Sequence, residues 1–140
     1  MKYVIYTDGG ARGNPGPAAI GVVIQNIAEF GRRIGEATNN VAEYTAVREA
    51  LAYLRNNPII KLSNNPIIQF YLDSTLVVQQ LNGMFKVKDA KLRELLTQIR
   101  FLEQEIGGVV TYAYVPREQN RRADLLVNRA LDAPPHVSFP

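Results

Sequence analysis

The sequence predicts an α/β domain in which helices are layered on a mixed β-sheet, and three observations indicate this class. Segments rich in β-branched and aromatic residues alternate with segments in which apolar residues recur at the helical period. Their order is three strands, a helix, a strand, two helices, a strand and a helix. The length of 140 residues suits one domain with a sizeable core. The absence of Cys excludes disulfides and thiolate metal sites.

The first half of the chain is predicted to contain three strands and a long helix. A β-branched and aromatic strand over Lys2–Asp8 ends at a turn signal, and a loop rich in Gly and Pro follows over residues 9–17. Ala18–Ile27 and Phe30–Ala37 are predicted as two antiparallel strands, and the Gly and Arg residues of the second suit a sheet edge. Apolar residues recur every three or four positions from Asn40 to about Asn56, which predicts a helix.

Asn40 and Glu43, at the predicted start of that helix, resemble a capping box. After the helix, Asn-Asn-Pro-Ile-Ile occurs at 56–60 and again at 64–68, and we interpret this stretch as a connecting loop. The remaining predicted elements are a strand at Ile67–Leu72, helices at Ser74–Asn82 and Asp89–Glu105, a strand at Val109–Val115 and a helix at Arg121–Leu131. We therefore expect a domain over residues 1–132 and a Pro-rich tail over 133–140.

The charge balance and the absence of membrane signals limit the classes of function. The formal net charge of +3 is compatible with a polyanionic partner but does not demonstrate one. The single His, His136, lies in the tail, which argues against a His-based metal site. No secretory signal is visible, and no apolar run approaches the roughly 20 residues that cross a bilayer. A cytoplasmic protein without membrane contact is expected, with a monomer as the default.

Four carboxylates occur where the predicted topology meets one edge of the sheet. Asp8 and Asp73 each close a strand, and a right-handed crossover between parallel neighbours would place both at the carboxyl edge. Adjacent strands are about 4.8 Å apart, so these two groups would repel unless a cation lay between them. Glu43 lies in the first turn of its helix and Asp124 begins the last helix, so both can face the same edge.

Oxygen donors without His or Cys suit a hard cation, Mg²⁺ or, as a substitute, Mn²⁺. Two such ions about 4 Å apart can activate a water and stabilise the leaving oxygen of a phosphodiester. Taken singly, each carboxylate also has an ordinary structural explanation. Asp8 before two Gly residues is a common turn residue, and Asp73-Ser74 resembles a helix cap. Glu43 and Asp124 can simply complement helix dipoles.

Four segments together resemble the motifs of type 1 ribonuclease H. They are Tyr6-Thr7-Asp8-Gly9-Gly10 with Gly13-Asn14-Pro15-Gly16-Pro17, Thr38-Asn39-Asn40-Val41-Ala42-Glu43, Leu72-Asp73-Ser74, and Asn120-Arg121-Arg122-Ala123-Asp124. The segments occur in the family's order, and the similarity covers roughly residues 2 to 132. One such segment alone would be weak, whereas the four together identify the chain as resembling this family.

The resemblance implies a five-stranded mixed sheet in the order 3-2-1-4-5, flanked by helices. It also implies an endonuclease that cuts the RNA strand of RNA–DNA hybrids and leaves 5′-phosphate and 3′-hydroxyl ends. By position, the family's metal-binding catalytic residues match Asp8, Glu43, Asp73 and Asp124.

The resemblance also assigns substrate contacts. Thr38 matches a contact to a phosphate of the DNA strand, and three amides match residues that touch the minor groove and the RNA 2′-hydroxyls: Asn14, Asn39 and Asn40. An amide can both donate to and accept from a 2′-OH group, which distinguishes RNA from DNA. Turn formation and helix capping are the alternative roles of these amides.

The chain departs from the family's pattern in two places. Many relatives have a His in the loop before the last Asp, but residues 114–120 contain none, and Arg117 is the best local substitute as a phosphate or leaving-group contact. Many relatives also have a basic, Trp-containing handle, whereas residues 83–89 offer only Lys86 and Lys88. Hybrid affinity is therefore expected to be modest, and activity on double-stranded RNA stays open.

Three other functions remain open at this stage. A non-catalytic hybrid- or RNA-binding domain would keep the scaffold, but all four carboxylates are present. A resolvase or a 3′–5′ exonuclease would share the fold, although the Gly-Asn-Pro-Gly and Thr-Asn-Asn segments favour recognition of a 2′-OH group. A domain of a reverse transcriptase polyprotein is the third, and the Met directly before the first strand favours a free-standing protein instead.

Overall fold

A five-stranded mixed sheet forms the centre of the computed structural model, which describes residues 1–134. The strands are β1 (Lys2–Ala11), β2 (Gly16–Ile24), β3 (Ala28–Ala37), β4 (Ile67–Leu72) and β5 (Val109–Tyr114). Their order is β3-β2-β1-β4-β5, with β1, β2 and β3 antiparallel to one another and β1, β4 and β5 parallel. This confirms the predicted strand order and places β3 at an edge.

Five helices flank the sheet within the described residues, 1–134. They are α1 (Asn39–Arg55), α2 (Pro58–Leu62), α3 (Thr75–Leu81), α4 (Ala90–Ile106) and α5 (Arg121–Asp132), and a 3₁₀ turn over Arg117–Gln119 precedes α5. The helix α1 packs on β1 and β2 and also contacts α4, while α5 packs on β1, β2 and β3. Gly9 abuts α1 whereas the next residue, Gly10, faces α5, so these two helices lie on opposite faces of the sheet. No helix within residues 1–134 combines the length and apolarity that a membrane span requires.

The main core lies between the sheet and the pair α1 and α4. Ile5, Phe70 and Leu72 of the strands are fully buried against Leu51 of α1 and Ile99 of α4. Burial of such side chains contributes about 1.5–3 kcal/mol each. This packing fixes the carboxyl ends of β1 and β4, where the predicted site lies.

Two local predictions, at the end of β1 and at the start of α1, were wrong. The cap of α1 is Thr38 and not Asn40, because the Thr38 hydroxyl accepts from the Val41 N–H at 3.2 Å while Asn40 already has a helical position. The strand β1 continues past Asp8 to Ala11, because Gly9, Gly10 and Ala11 keep pairing with β2. The connecting loop is therefore shorter than predicted.

The prediction of a loop over 56–68 was also wrong in part. Asn57 caps α2 by accepting from the Ile59 N–H at 2.9 Å, and Pro58 occupies the first helical position. Proline suits that position because its missing N–H would have had no partner in the helix.

Arg33 on the edge strand fixes the end of the last helix. Its guanidinium donates to the carbonyl oxygens of Ala130, Leu131 and Ala133 at 3.0, 2.8 and 2.6 Å. Ala133, the first residue of the predicted tail, is buried. The rest of that tail from residue 135 onward, including His136, lies outside the described residues.

Candidate active site

The parallel pairing of β1 with β4 brings Asp8 and Asp73 together. The last paired residues are Tyr6 and Tyr71, and each carboxylate comes two residues later along the chain, Asp8 within β1 and Asp73 directly after β4. Beyond this point β1 pairs only with β2, where Asp8 is opposite Gly21. The two carboxylates therefore lie where the strands separate, as the crossover argument predicts.

Glu43 reaches the same point from the first turns of α1. One of its oxygens, Oε1, accepts from the Gly9 N–H at 2.6 Å. A Cβ atom at Gly9 would overlap the main chain of Ala42 and Glu43, so the helix can approach this closely only because residue 9 is Gly. The bond is short for an N–H donor and a carboxyl oxygen. It fixes α1 against β1 at the site.

The three carboxylates form a compact group. One oxygen each of Asp8, Glu43 and Asp73 lies within 4.8 Å of the others. Asp8 and Glu43 are buried, with 9% and 5% of their surface exposed, and Asp73 is half-buried. We refer to Asp8, Glu43 and Asp73 as the carboxylate cluster.

Asp124, the fourth predicted carboxylate, lies beside the cluster in the first turn of α5. It is half-buried, and its charge acts on Asp8. Gly21 and Gly31 are opposite each other on β2 and β3, and their missing side chains let the main chain of α5 lie directly on the sheet. This close packing sets how near Asp124 comes to the cluster.

Burial raises the pKa of Asp8 to about 7, the negative charges of Asp73 and Asp124 act in the same direction, and the neighbouring Glu43 side chain and the Gly9 N–H oppose the shift. Burial also raises the pKa of Glu43 well above its usual range, and the charge of Asp8 adds to this. The pair therefore retains a proton near neutral pH unless a cation replaces it.

The cluster fits a divalent cation bound through oxygen atoms. The second oxygen of Glu43, Oε2, is buried and has no hydrogen-bond partner in the described chain. Across residues 1–134, none of the four carboxylates forms an ion pair with Lys or Arg. Several carboxylate oxygens without His or Cys are the ligands that Mg²⁺ and Mn²⁺ prefer. The unsatisfied oxygen and the unneutralised charge are both what a cation would complete.

Without a divalent cation, the fold is expected to lose stability as the pH rises from about 4 to about 7. The folded state binds a proton at Asp8 more tightly than the unfolded state, so this contribution is present at low pH and is lost as pH passes the folded pKa. For Asp8 alone the loss is on the order of 4 kcal/mol. Thermal unfolding in EDTA at about pH 5.5, 7 and 8.5 measures it. Midpoints that rise with pH would contradict the expectation, and Mg²⁺ should restore the midpoint at high pH.

The predicted substrate residues lie together beside the cluster. The Asn14 side-chain oxygen accepts from the Asn39 N–H, and the Asn39 side-chain oxygen accepts from the Ala11 N–H, both at 2.9 Å. These bonds fix the loop after β1 against the start of α1. Asn14, Thr38, Asn39 and Asn40 line one groove of about 660 Å³, together with Lys91 of α4.

Arg117 does not join the carboxylates. It is exposed on the 3₁₀ turn, and its side chain forms no hydrogen bond or ion pair with another described residue. Its chain position, three residues before Asn120, keeps it near the start of α5. Its predicted contact, with a phosphate or a leaving group, would form only when a substrate is bound.

Sequence reasoning missed the role of Asn120. It is 1% exposed, and its amide donates to the Thr7 carbonyl at 2.9 Å and to Asp73 Oδ2 at 3.1 Å. The residue stands first in the fourth motif, but its sequence context is that of an ordinary helix cap. Only the three-dimensional contacts reveal that it reaches the cluster.

The chain is similar to known proteins in both sequence and fold. A family model described as reverse transcriptase-like matches residues 6–130. A bifunctional protein of Mycobacterium tuberculosis is 41% identical over an alignment of 139 positions that covers 95% of this chain and 36% of that protein. Ribonuclease HI of Halobacterium salinarum is 40% identical over 91% of this chain and 63% of its own length. The chain thus spans about a third to two thirds of the length of these curated relatives.

A solved structure agrees over nearly its whole length. LC11 ribonuclease H1, crystallised in complex with an RNA/DNA hybrid, superposes with a TM-score of 0.87 at 44% identity, covering 93% of this chain and 96% of that one. Sequence, strand order and the assembled carboxylates give the same answer. The chain belongs to the type 1 ribonuclease H family of enzymes, as its four motifs predict.

Proposed function

We propose that the protein is an endoribonuclease that hydrolyses the RNA strand of RNA–DNA hybrids and leaves 5′-phosphate and 3′-hydroxyl ends. The carboxylate cluster, with its buried and unpartnered Glu43 oxygen, is the observation that carries this proposal. The related LC11 enzyme binds an RNA/DNA hybrid, which supports the same substrate here.

Asp8, Glu43, Asp73 and Asp124 would hold the divalent cations, Mg²⁺ or Mn²⁺ as a substitute. A pair of such ions supplies an activated water and stabilises the leaving oxygen of the phosphodiester. The protein's own contribution is to hold four carboxyl groups close together, an arrangement that is unfavourable unless a cation or, in its absence, a proton reduces their repulsion. Because Asp8 and Glu43 retain a proton in the absence of the cation, binding should release protons and strengthen as the pH rises.

The residues that line the groove beside the cluster can contact the minor groove of a hybrid. The side-chain oxygens of Asn14 and Asn39 already accept hydrogen bonds from main-chain N–H groups. Their NH₂ groups therefore remain available to donate to a substrate. A 2′-hydroxyl oxygen accepts such bonds, and DNA lacks it. Asn40 would extend the same contact along the RNA strand. Thr38, at the start of α1, would contact a phosphate of the DNA strand, where the helix N-terminus favours an anion.

Arg117→Ala is expected to lower turnover at least tenfold while leaving the fold intact. An exposed guanidinium near the start of α5 can hold the scissile phosphate or a leaving group, but it cannot act as a general base. Tenfold corresponds to about 1.4 kcal/mol of transition-state stabilisation. Arg93→Ala, at an exposed arginine of α4, is the matched control. Steady-state turnover close to that of the wild type would refute the role.

The proposed function is tested with an end-labelled RNA strand paired with DNA, paired with RNA, or left single. Each substrate is incubated with Mg²⁺, Mn²⁺ or EDTA. Internal, cation-dependent cleavage of the hybrid's RNA is expected, and the chemistry of the new ends is read from their susceptibility to phosphatase. Equal cleavage of double-stranded RNA would show that 2′-OH recognition on one strand is not strict. Hybrid binding without cleavage by the folded protein would leave the alternative of a binding domain.

A further inference from the structure

We infer that Asn120 is a positioning residue that holds the Asp73 carboxylate in place for the cation, by tying it to β1 and to the start of α5. The inference rests on the proposed function, since it assumes that the cluster binds a divalent cation.

Asn120 connects four parts of the chain through two hydrogen bonds of its side chain and two of its main chain. Its NH₂ group donates to the Thr7 carbonyl of β1 at 2.9 Å and to Asp73 Oδ2, at the end of β4, at 3.1 Å. Its own N–H donates to the Arg117 carbonyl of the 3₁₀ turn, and its carbonyl accepts from the Asp124 N–H. Thr7 directly precedes Asp8, so one residue links the segments of three of the four carboxylates: its side chain bonds Thr7 and Asp73, and its main-chain carbonyl bonds Asp124.

This link lies where the sheet itself no longer holds the strands together. The parallel pairing of β1 with β4 ends at Tyr6 and Tyr71, before Asp8 and Asp73. Beyond that pair, the Asn120 amide bridges the Thr7 carbonyl and the Asp73 carboxylate. The distance between the two strand ends therefore depends on a side chain from a third segment.

A neutral amide suits this position better than a positively charged side chain would. A Lys or Arg at this point would also donate to Asp73, but it would neutralise the charge that the cation needs. A neutral amide fixes one oxygen of Asp73 through hydrogen bonding and leaves the negative charge of the carboxylate intact. Partners of this kind orient the ligands of a metal, and their loss commonly weakens metal binding about 10- to 100-fold.

Helix capping does not explain why residue 120 is Asn. Asn120 occupies the cap position of α5, yet its side chain accepts no hydrogen bond from the helix. Its oxygen, Oδ1, is buried and has no partner among residues 1–134. A buried unpartnered oxygen is unfavourable, and this offsets much of what the two donated bonds contribute to stability. The amide therefore adds little to the stability of the fold, and its main effect is to fix the position of Asp73.

The test is the affinity of the metal-free protein for Mn²⁺, measured by calorimetry without substrate and below the unfolding temperature of every variant. Asn120→Leu keeps the approximate volume of the side chain but removes both donors. Thr7→Val is the matched control, because Thr7 is buried beside it, its hydroxyl has no partner, and its main-chain carbonyl is unchanged. We expect Asn120→Leu to raise the dissociation constant for Mn²⁺ at least tenfold and Thr7→Val to change it less than twofold.

Asn120→Ser provides a second variant if Asn120→Leu does not fold, since its short hydroxyl cannot span from Thr7 to Asp73; the same weakening is expected. A second readout is the Mn²⁺ concentration at half-maximal cleavage, which should rise in parallel and be overcome by excess Mn²⁺. A purely structural role would lower the unfolding midpoint without changing the dissociation constant, and that result would overturn the inference alone. A wild-type protein that binds no Mn²⁺ would overturn both the inference and the proposed function.

Discussion

Asp8→Asn is expected to lower the rate of hybrid cleavage at least about a thousandfold and, without divalent cations at about pH 8.5, to make the protein more stable than the wild type. A thousandfold loss corresponds to about 4 kcal/mol of transition-state stabilisation. Asp8 is buried within the cluster beside Glu43, and the charges of the less buried Asp73 and Asp124 raise its pKa. In the variant, the neutral amide of the Asn side chain cannot replace a charged carboxylate as a ligand of the cation.

The gain in stability has the same origin as the loss of activity. Above the raised pKa of Asp8, the cation-free fold holds a buried charge beside other negative groups. Asn has nearly the same shape without that charge, so the variant should lose most of the decline in unfolding midpoint between about pH 5.5 and 8.5. Mg²⁺ should stabilise the wild type at high pH and have a smaller effect on the variant.

Asp132→Asn is the control for the charge change itself. Asp132 is exposed and pairs with Arg12 at the surface, an interaction that contributes about 1 kcal/mol at most. Its activity and its pH dependence of unfolding should follow the wild type. Hybrid cleavage by Asp8→Asn within tenfold of the wild type would show that Asp8 is not a ligand in the reaction.

The parts of the fold that could be predicted from sequence are those with a clear period or a clear stop signal. The long helices α1 and α4 and the strand β4 lie close to their predicted positions because each has several apolar residues on one face or in one run. Strand order could not be derived from periodicity, since no pattern within a strand specifies its neighbour. It came from the resemblance carried by the four motifs.

The repeated pentapeptide shows why local sequence was insufficient elsewhere. Asn-Asn-Pro-Ile-Ile begins helix α2 at 56–60, but at 64–68 the same five residues form a turn and enter strand β4. The second copy is followed by Gln69, Phe70 and Tyr71, which pair with β1 and β5. Pairing with neighbouring strands therefore decides the structure of the second copy, as tertiary context commonly overrides propensity.

The candidate site was predictable to the level of its carboxylates and, through the resemblance, of the residues that line the groove beside them. Carboxylates at strand and helix ends stand out in a sequence, because their charge has few other reasons to cluster. Asn120 does not stand out, since an Asn before a helix is ordinary and its contacts with Thr7 and Asp73 join residues more than forty positions apart. The close approach of α1 to β1 at Gly9 was equally hidden, because a Gly after Asp already suits a turn.

Gly9→Ala is expected to destabilise the protein by at least about 3 kcal/mol and to lower hybrid cleavage at least about a hundredfold. The new methyl group would overlap the main chain of Ala42 and Glu43, and a main chain cannot rotate away as a long side chain can. The helix α1 must then move from β1, which breaks the bond from the Gly9 N–H to Glu43. A displacement of about 1 Å in a catalytic group can alone cost about a hundredfold in rate.

Gly10→Ala is the matched control because it places the same methyl group on the next residue of the same strand. There the Cβ atom would meet only a methyl of Val127 at 3.8 Å, an ordinary contact, and neither glycine has a positive φ. We expect Gly10→Ala to change the free energy of unfolding by less than about 1 kcal/mol. Chemical denaturation and initial rates of hybrid cleavage measure both variants. Equal effects of the two substitutions would mean that backbone flexibility, and not the contact between β1 and α1, explains the glycines at the site.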